Sequence, residues 1–115
     1  EGTQLDIVAF NLPPGQHGLH IHENALCELP DFATAGSHYN PESREHGFSN
    51  PAGHHLGDLP NLEISNSGTG RLRLIIPADL DEFTGRSIII HADADDYTTD
   101  PSGNSGARIG CGPIN

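Results

Sequence analysis

Eight histidines stand out in a chain of 115 residues, and seven of them fall between His17 and His55. Histidine is the commonest ligand for transition metals, and its neutral ring offers a lone pair where other side chains offer charge. His20 and His22 are two residues apart in HGLHIHE. On an extended segment, that spacing sends both rings from one face toward a single ion. Further along come His38 in GSHYNP, His46 in REHGF, His54, His55 and Asp58 in HHLGD, and His91 after three isoleucines. Separated clusters of imidazole and carboxylate without thiolate suit Zn(II) and Cu(II).

These donors are far apart in sequence, so the elements between them must bring them together. Thr3–Phe10, His17–Glu23, Leu59–Ser65, Arg71–Ile76, Ser87–Asp93 and Arg108–Ile114 all read as short strands. Their apolar residues alternate or cluster, and they are bounded by Gly, Pro, Asn and Asp. Leu59–Ser65 and Arg71–Ile76 flank NSGTG and are expected to form a hairpin, with Leu62 and Ile64 meeting Leu72, Leu74 and Ile76. Asn24–Asp58 lacks a usable period and reads as a metal-clamped loop, and Ala94–Ala107 as a second loop rich in Gly, Pro and Asp. Six strands with two long loops predict an all-β, Greek-key sandwich or flattened barrel, folded as a single domain over residues 1–115.

Composition agrees and excludes several functions. Fourteen glycines and nine prolines with 5% aromatics fit a small all-β protein. The formal charge is −11, and all five cations are arginine, which removes electrostatic support for a nucleic-acid or anionic-membrane partner. No apolar run approaches a membrane span, and Glu1–Asp6 lacks the basic start and apolar stretch of a signal peptide. Cys27 and Cys111 form no CxxC pattern, so a structural disulfide is favoured over a redox dithiol. Closing so long a loop would stabilise the fold by roughly 4 to 5 kcal/mol and implies an oxidising compartment or a protected cytosolic case. An extracellular, periplasmic or cell-surface setting is therefore expected ahead of a cytoplasmic one.

The motifs HGLHIHE, GSHYNP, HHLGD, IIIHADADD and GNSGARIGCG, in this order, resemble the metal and active-site motifs of the copper/zinc superoxide dismutase family, and the resemblance covers nearly the whole chain. It implies that copper is held by His20, His22, His38 and His91, and zinc by His38, His46, His55 and Asp58. His38 is then an imidazolate bridge, stabilised by two adjacent cations, which can take up a proton when copper is reduced. Asp95 matches the carboxylate that ties a copper-ligand histidine to a zinc-ligand histidine, here His20 and His46. Arg108 matches the arginine that attracts superoxide, and Cys27 and Cys111 match the intrachain disulfide. The implied reaction converts superoxide to dioxygen and hydrogen peroxide.

Other residues have plainer roles. His17 is expected to brace its strand, His54 to face solvent or act as an alternate ligand, and Arg44 to guide anions or make a structural hydrogen bond. Asp93, Asp96 and Asp100 read as solvated loop charges.

Two departures from the family qualify the resemblance. The two-stranded hairpin that opens the family's domain has no match before Thr3, so an open sheet edge must be covered, by a second copy or by additional sequence. The loop Ala94–Ala107 is short, and Pro101 stands about where a lysine is expected, which leaves long-range attraction of an anion to the metals and Arg108. A slower enzyme is one expectation. A non-enzymatic copper/zinc-binding domain, or a zinc-stabilised structural domain of a larger extracellular protein, is the alternative.

Overall fold

The computed structural model describes residues 2–28, 32–40, 46–47, 55, 57–76, 78–98, 103 and 105–114. Within them lie six strands: β1 (Thr3–Ala9), β2 (Gly15–His22), β3 (Asp58–Ile64), β4 (Gly70–Ile76), β5 (Arg86–His91) and β6 (Arg108–Ile114). Two short 3-10 helices, Ala33–Ala35 and Leu80–Glu82, sit in the connections. The strands form two antiparallel sheets, β1–β4 and β3–β2–β5–β6. The chain crosses between them after β1, after β3 and after β4, giving the sandwich that the strand pattern predicts. His54, Arg44, Asp100 and Pro101 lie outside the described residues.

Alternation along the strands builds the core. Leu5, Ile7 and Ala9 of β1 and Leu72, Leu74 and Ile76 of β4 pack against Leu19, Ile21, Leu62, Ile64 and Ile90 of the larger sheet, with Leu59 and Phe83 in the same cluster. Burying an aliphatic side chain of this size contributes about 1.5 to 3 kcal/mol. The alternate positions of β1 and β4 face water, where Arg71 and Arg73 both reach Asp6, at 2.7 and 3.2 Å.

The expected hairpin is corrected. β3 and β4 are joined by a tight turn, with the Gly68 N–H donating to Ser65 O at 2.9 Å and the Ser65 N–H to Thr69 O at 2.8 Å. They do not pair: β3 lies against β2, and β4 against β1 in the register Thr3↔Ile76 to Ala9↔Gly70. A turn that carries the chain from one sheet to the other leaves the same sequence pattern as a hairpin, because both bring two apolar faces together. Leu62, Ile64, Leu72, Leu74 and Ile76 do share one core, but they reach it from opposite sheets.

Among the described residues, β1 pairs only with β4. Beside its other edge runs a groove of about 520 Å³, lined by Asp6–Leu12 and by residues of β5 and β6, among them Ile88, Ile90, Ile109 and Ile114.

The outer face of the larger sheet positions the site. His20 lies opposite Ile89 and His22 opposite Ser87, so these four side chains share the face turned away from the core. Described residues of the two following connections, among them His38, His46, Asp95 and Gly103, lie against it.

Candidate metal centre

Four histidines present buried ring nitrogens to one another. His20 and His22 come from β2, His91 ends β5, and His38 arrives on the loop after β2, joined to His22 by an isolated β-bridge. All four are buried. His20 Nδ1, His22 Nε2, His38 Nε2 and His91 Nε2 have no hydrogen-bond partner among the described residues, and one ligand atom of each lies within 4.8 Å of the others.

The opposite nitrogen of each ring is fixed. His20 Nε2–H donates to Asp95 Oδ2 at 2.7 Å, His22 Nδ1–H to Gly36 O at 2.9 Å, and His91 Nδ1–H to Gly106 O at 3.1 Å. These acceptors select the tautomer, so the inward lone pair is the one left for a cation. Burial lowers His20 to about 3, His22 to about 2 and His91 to about 4, overriding the Asp95 contact at His20. The rings are therefore neutral ligands at neutral pH.

His38 turns its Nδ1 toward a second cluster. That atom is 3.1 Å from His55 Nδ1 and 3.2 Å from Asp58 Oδ1, while His46 Nδ1 is 2.9 Å and His55 Nδ1 3.4 Å from the same oxygen. Ligands about 2.0 Å from a tetrahedral zinc ion stand about 3.3 Å apart, so the spacing fits zinc. The Gly47 and His55 N–H groups hold Asp58 Oδ2, at 3.0 and 2.9 Å, leaving Oδ1 for the ion. His20 also comes within ligand distance of His38, His46 and Asp58. Its Nε2 is committed to Asp95, however, whereas His55 Nδ1 faces the cluster directly.

Electrostatics mark this side as a charged site. Burial alone would lower His46, but hydrogen bonds to Asp58 and Asp95 outweigh it and raise the ring to about 9. Burial alone would raise Asp58, yet His38, His46 and His55 hold it well below the usual carboxylate range. Asp95 is likewise depressed against burial, by His20 and His46. It bridges them directly, His46 Nε2 lying 2.8 Å from both of its oxygens.

Arg108 stands beside the first cluster, its guanidinium donating to Phe32 O at 2.8 Å and Gly36 O at 2.7 Å. Gly36 O thus accepts from both Arg108 and His22. Cys27 and Cys111 are disulfide-bonded, with Cα atoms 5.6 Å apart, which ties the loop after β2 to β6. His17 is buried with Nδ1 2.8 Å from His91 O and Nε2 2.7 Å from Pro13 O, the bracing role expected of it. Asp93 and Asp96 are exposed.

Asn61 and Tyr97 escaped the sequence reading, whereas Gly103 is one of the glycines whose backbone freedom and close approach the sequence suggests. Asn61 accepts from the Asp95 N–H at 2.8 Å and donates to Asp95 O at 3.0 Å, and the Tyr97 N–H donates to Asp95 Oδ1 at 2.7 Å. An asparagine within a strand was the available signal, since strands are poor in asparagine. Gly103 has φ +68°, and a methyl there would enter the Asp95 carboxylate and stand 2.9 Å from His46 Nε2. Only glycine fits both conditions.

A β-sandwich whose outer face carries two adjoining histidine clusters, joined through His38, has the donor groups to hold two metal ions. The family model for copper/zinc superoxide dismutase matches residues 1–114, and the chain belongs to that family, whose metals are copper and zinc. It is 48% identical over 125 residues to the superoxide dismutase-like protein YojM of Bacillus subtilis, covering 99% of this chain and 63% of that relative. It is 38% identical over 123 residues to a Cu-Zn superoxide dismutase of Aquifex aeolicus, covering 98% and 73%. In structure, it matches a double mutant of a SOD-like protein from Bacillus subtilis with a TM-score of 0.93 and 48% identity, over 99% of this chain and 81% of that one. The chain thus spans just under two thirds of the length of the first relative.

Proposed function

We propose that this chain dismutes superoxide, with copper held by His20, His22, His38 and His91 and zinc by His38, His46, His55 and Asp58. The convergence of four buried ring nitrogens without hydrogen-bond partners among the described residues carries the reading, because burying such atoms is costly unless an ion satisfies them. Bound copper supplies a one-electron couple that oxidises one superoxide to dioxygen and, with two protons, reduces a second to hydrogen peroxide, while zinc supplies fixed charge and a loop anchor.

The chain's own residues then bind, orient and move protons. Arg108, held by two carbonyls, presents a fixed positive charge to an anion beside His22. His38 Nε2, buried and without a partner among the described residues, is the position at which one consumed proton is held. Asp95 keeps His20 and His46 in the required tautomer and couples the two clusters. Protein loaded with both metals should generate peroxide from superoxide, and Arg108→Ala should lower the rate without releasing metal.

A second reading is supported by a relative whose own name says only superoxide dismutase-like. In that reading the domain binds copper and zinc without turnover. Metal uptake with no peroxide formed from superoxide would select it.

The groove beside β1 supports a further element of the proposal, that a second copy or additional sequence covers this edge. Light scattering on dilute protein tests it, and a stable monomer of this chain alone would contradict the second-copy form. The disulfide and the bacterial relatives support a periplasmic or extracellular setting.

A further inference from the structure

We infer that Arg86 is a positioning residue for the copper-type histidine set, acting through the backbone on either side of the His22↔His38 bridge; the inference rests on the function proposed above. Arg86 begins β5, at the end of the strand opposite His91. It is half-buried and makes three directed contacts. Its Nε–H donates to Glu82 O at 2.7 Å, an Nη1–H donates to Glu23 O at 3.2 Å, and the guanidinium carbon lies 3.6 Å from the centroid of the Tyr39 ring. The Tyr39 hydroxyl donates in turn to the Glu82 carboxylate.

Two of these contacts fall on the residues that follow site histidines, Glu23 after His22 and Tyr39 after His38. The two segments are laced together: the Glu23 N–H donates to Ser37 O at 2.9 Å, the Tyr39 N–H to Ile21 O at 2.7 Å, and the Ser37 N–H to Glu23 Oε1 at 3.1 Å. One guanidinium therefore grips both sides of the bridge from the strand that delivers His91. A slip of either segment moves His22 Nε2 or His38 Nε2 out of the convergent set. A planar fork can bond two carbonyls while stacking on a ring, and an ammonium cannot keep all three at these positions.

The test compares the full disulfide-bonded chain with Arg86→Gln, Arg86→Lys and the control Arg71→Gln, which removes an equal charge from an exposed surface pair. Each is loaded with zinc and then titrated with Cu(II) against a chelator of known affinity, and the Cu(II) electron paramagnetic resonance spectrum is recorded. Arg86→Gln should weaken copper binding about 10- to 100-fold and change the hyperfine pattern, as loss of a ligand-orienting partner does. Arg86→Lys should fall between it and the parent in affinity, with an altered spectrum, and Arg71→Gln should match the parent. Should Arg86→Gln fail to fold, Arg86→Lys decides. A folded Arg86 variant with the parent's affinity and spectrum overturns the inference, even if it melts at a lower temperature, because a brace of the fold alone predicts that result. A parent that takes up no copper overturns the functional reading and this inference with it.

Discussion

His91 reaches the first cluster from the end of β5, with its ring oriented by Gly106 O and its backbone carbonyl against His17. Replacing it by alanine removes one of the four proposed donor nitrogens but none of the β2–β5 pairs. His91→Ala protein is expected to keep its far-ultraviolet circular dichroism while losing copper and dismutation to background; a copper-replete, active variant would refute the donor set. Gly103→Ala should act differently, by displacing the carboxylate that joins the two clusters. A loss of zinc affinity of about 10- to 100-fold is expected, read by chelator competition. Much of the site was legible at this scale, because His20 and His22 share a strand face and the histidine-rich motifs occur in family order. Asn61, Tyr97, Tyr39 and Arg86 were not, since each acts through a backbone or ring contact that leaves no spacing in the sequence.

The elements tell a similar story about local and non-local information. All six strands lie within a residue or two of their expected bounds, because alternation is a local property that burial on one face enforces. Strand partnership is not local, and the pairing of β4 was misassigned for that reason. Its partner β1 lies about 65 residues away in the chain, and their shared Asp6–Arg71 contact has no local signal. The Cys27–Cys111 bond is a further long-range tie, between residues separated by 84 positions. In the chain-entropy model it contributes about 4 to 5 kcal/mol. Cys27→Ser should therefore lower the melting temperature of the metal-free protein by at least about 15 °C in calorimetry. A shift of only a few degrees would mean that the loop after β2 is held by other contacts.

For the whole molecule, acidity and burial set opposing pH responses. Unfolded histidine titrates near 6.5, whereas folded His20, His22 and His91 titrate at about 3, 2 and 4. Between those values the unfolded chain binds more protons, so metal-free protein should lose stability as pH falls below about 6.5, with Asp58 and Asp95 adding to the loss below about 4. His46 has the opposite sign: its contribution is full below about 6.5 and is lost as pH rises through about 9. Denaturation midpoints should peak near neutral pH, and a flat profile from pH 4 to 8 would contradict this balance. A net charge of −11 also repels superoxide, so added salt should raise the turnover rate of the metal-loaded protein, while a steep fall would show that local attraction at Arg108 governs encounter. The second side of β1 bears on handling as well as on chemistry. Among the described residues β1 pairs on one side only, so its other side offers a place for chains to associate unless something covers it, and like charge on neighbouring molecules opposes indiscriminate association there. Turbidity of concentrated solutions should consequently be greatest near pH 4.8, where that colloidal barrier vanishes.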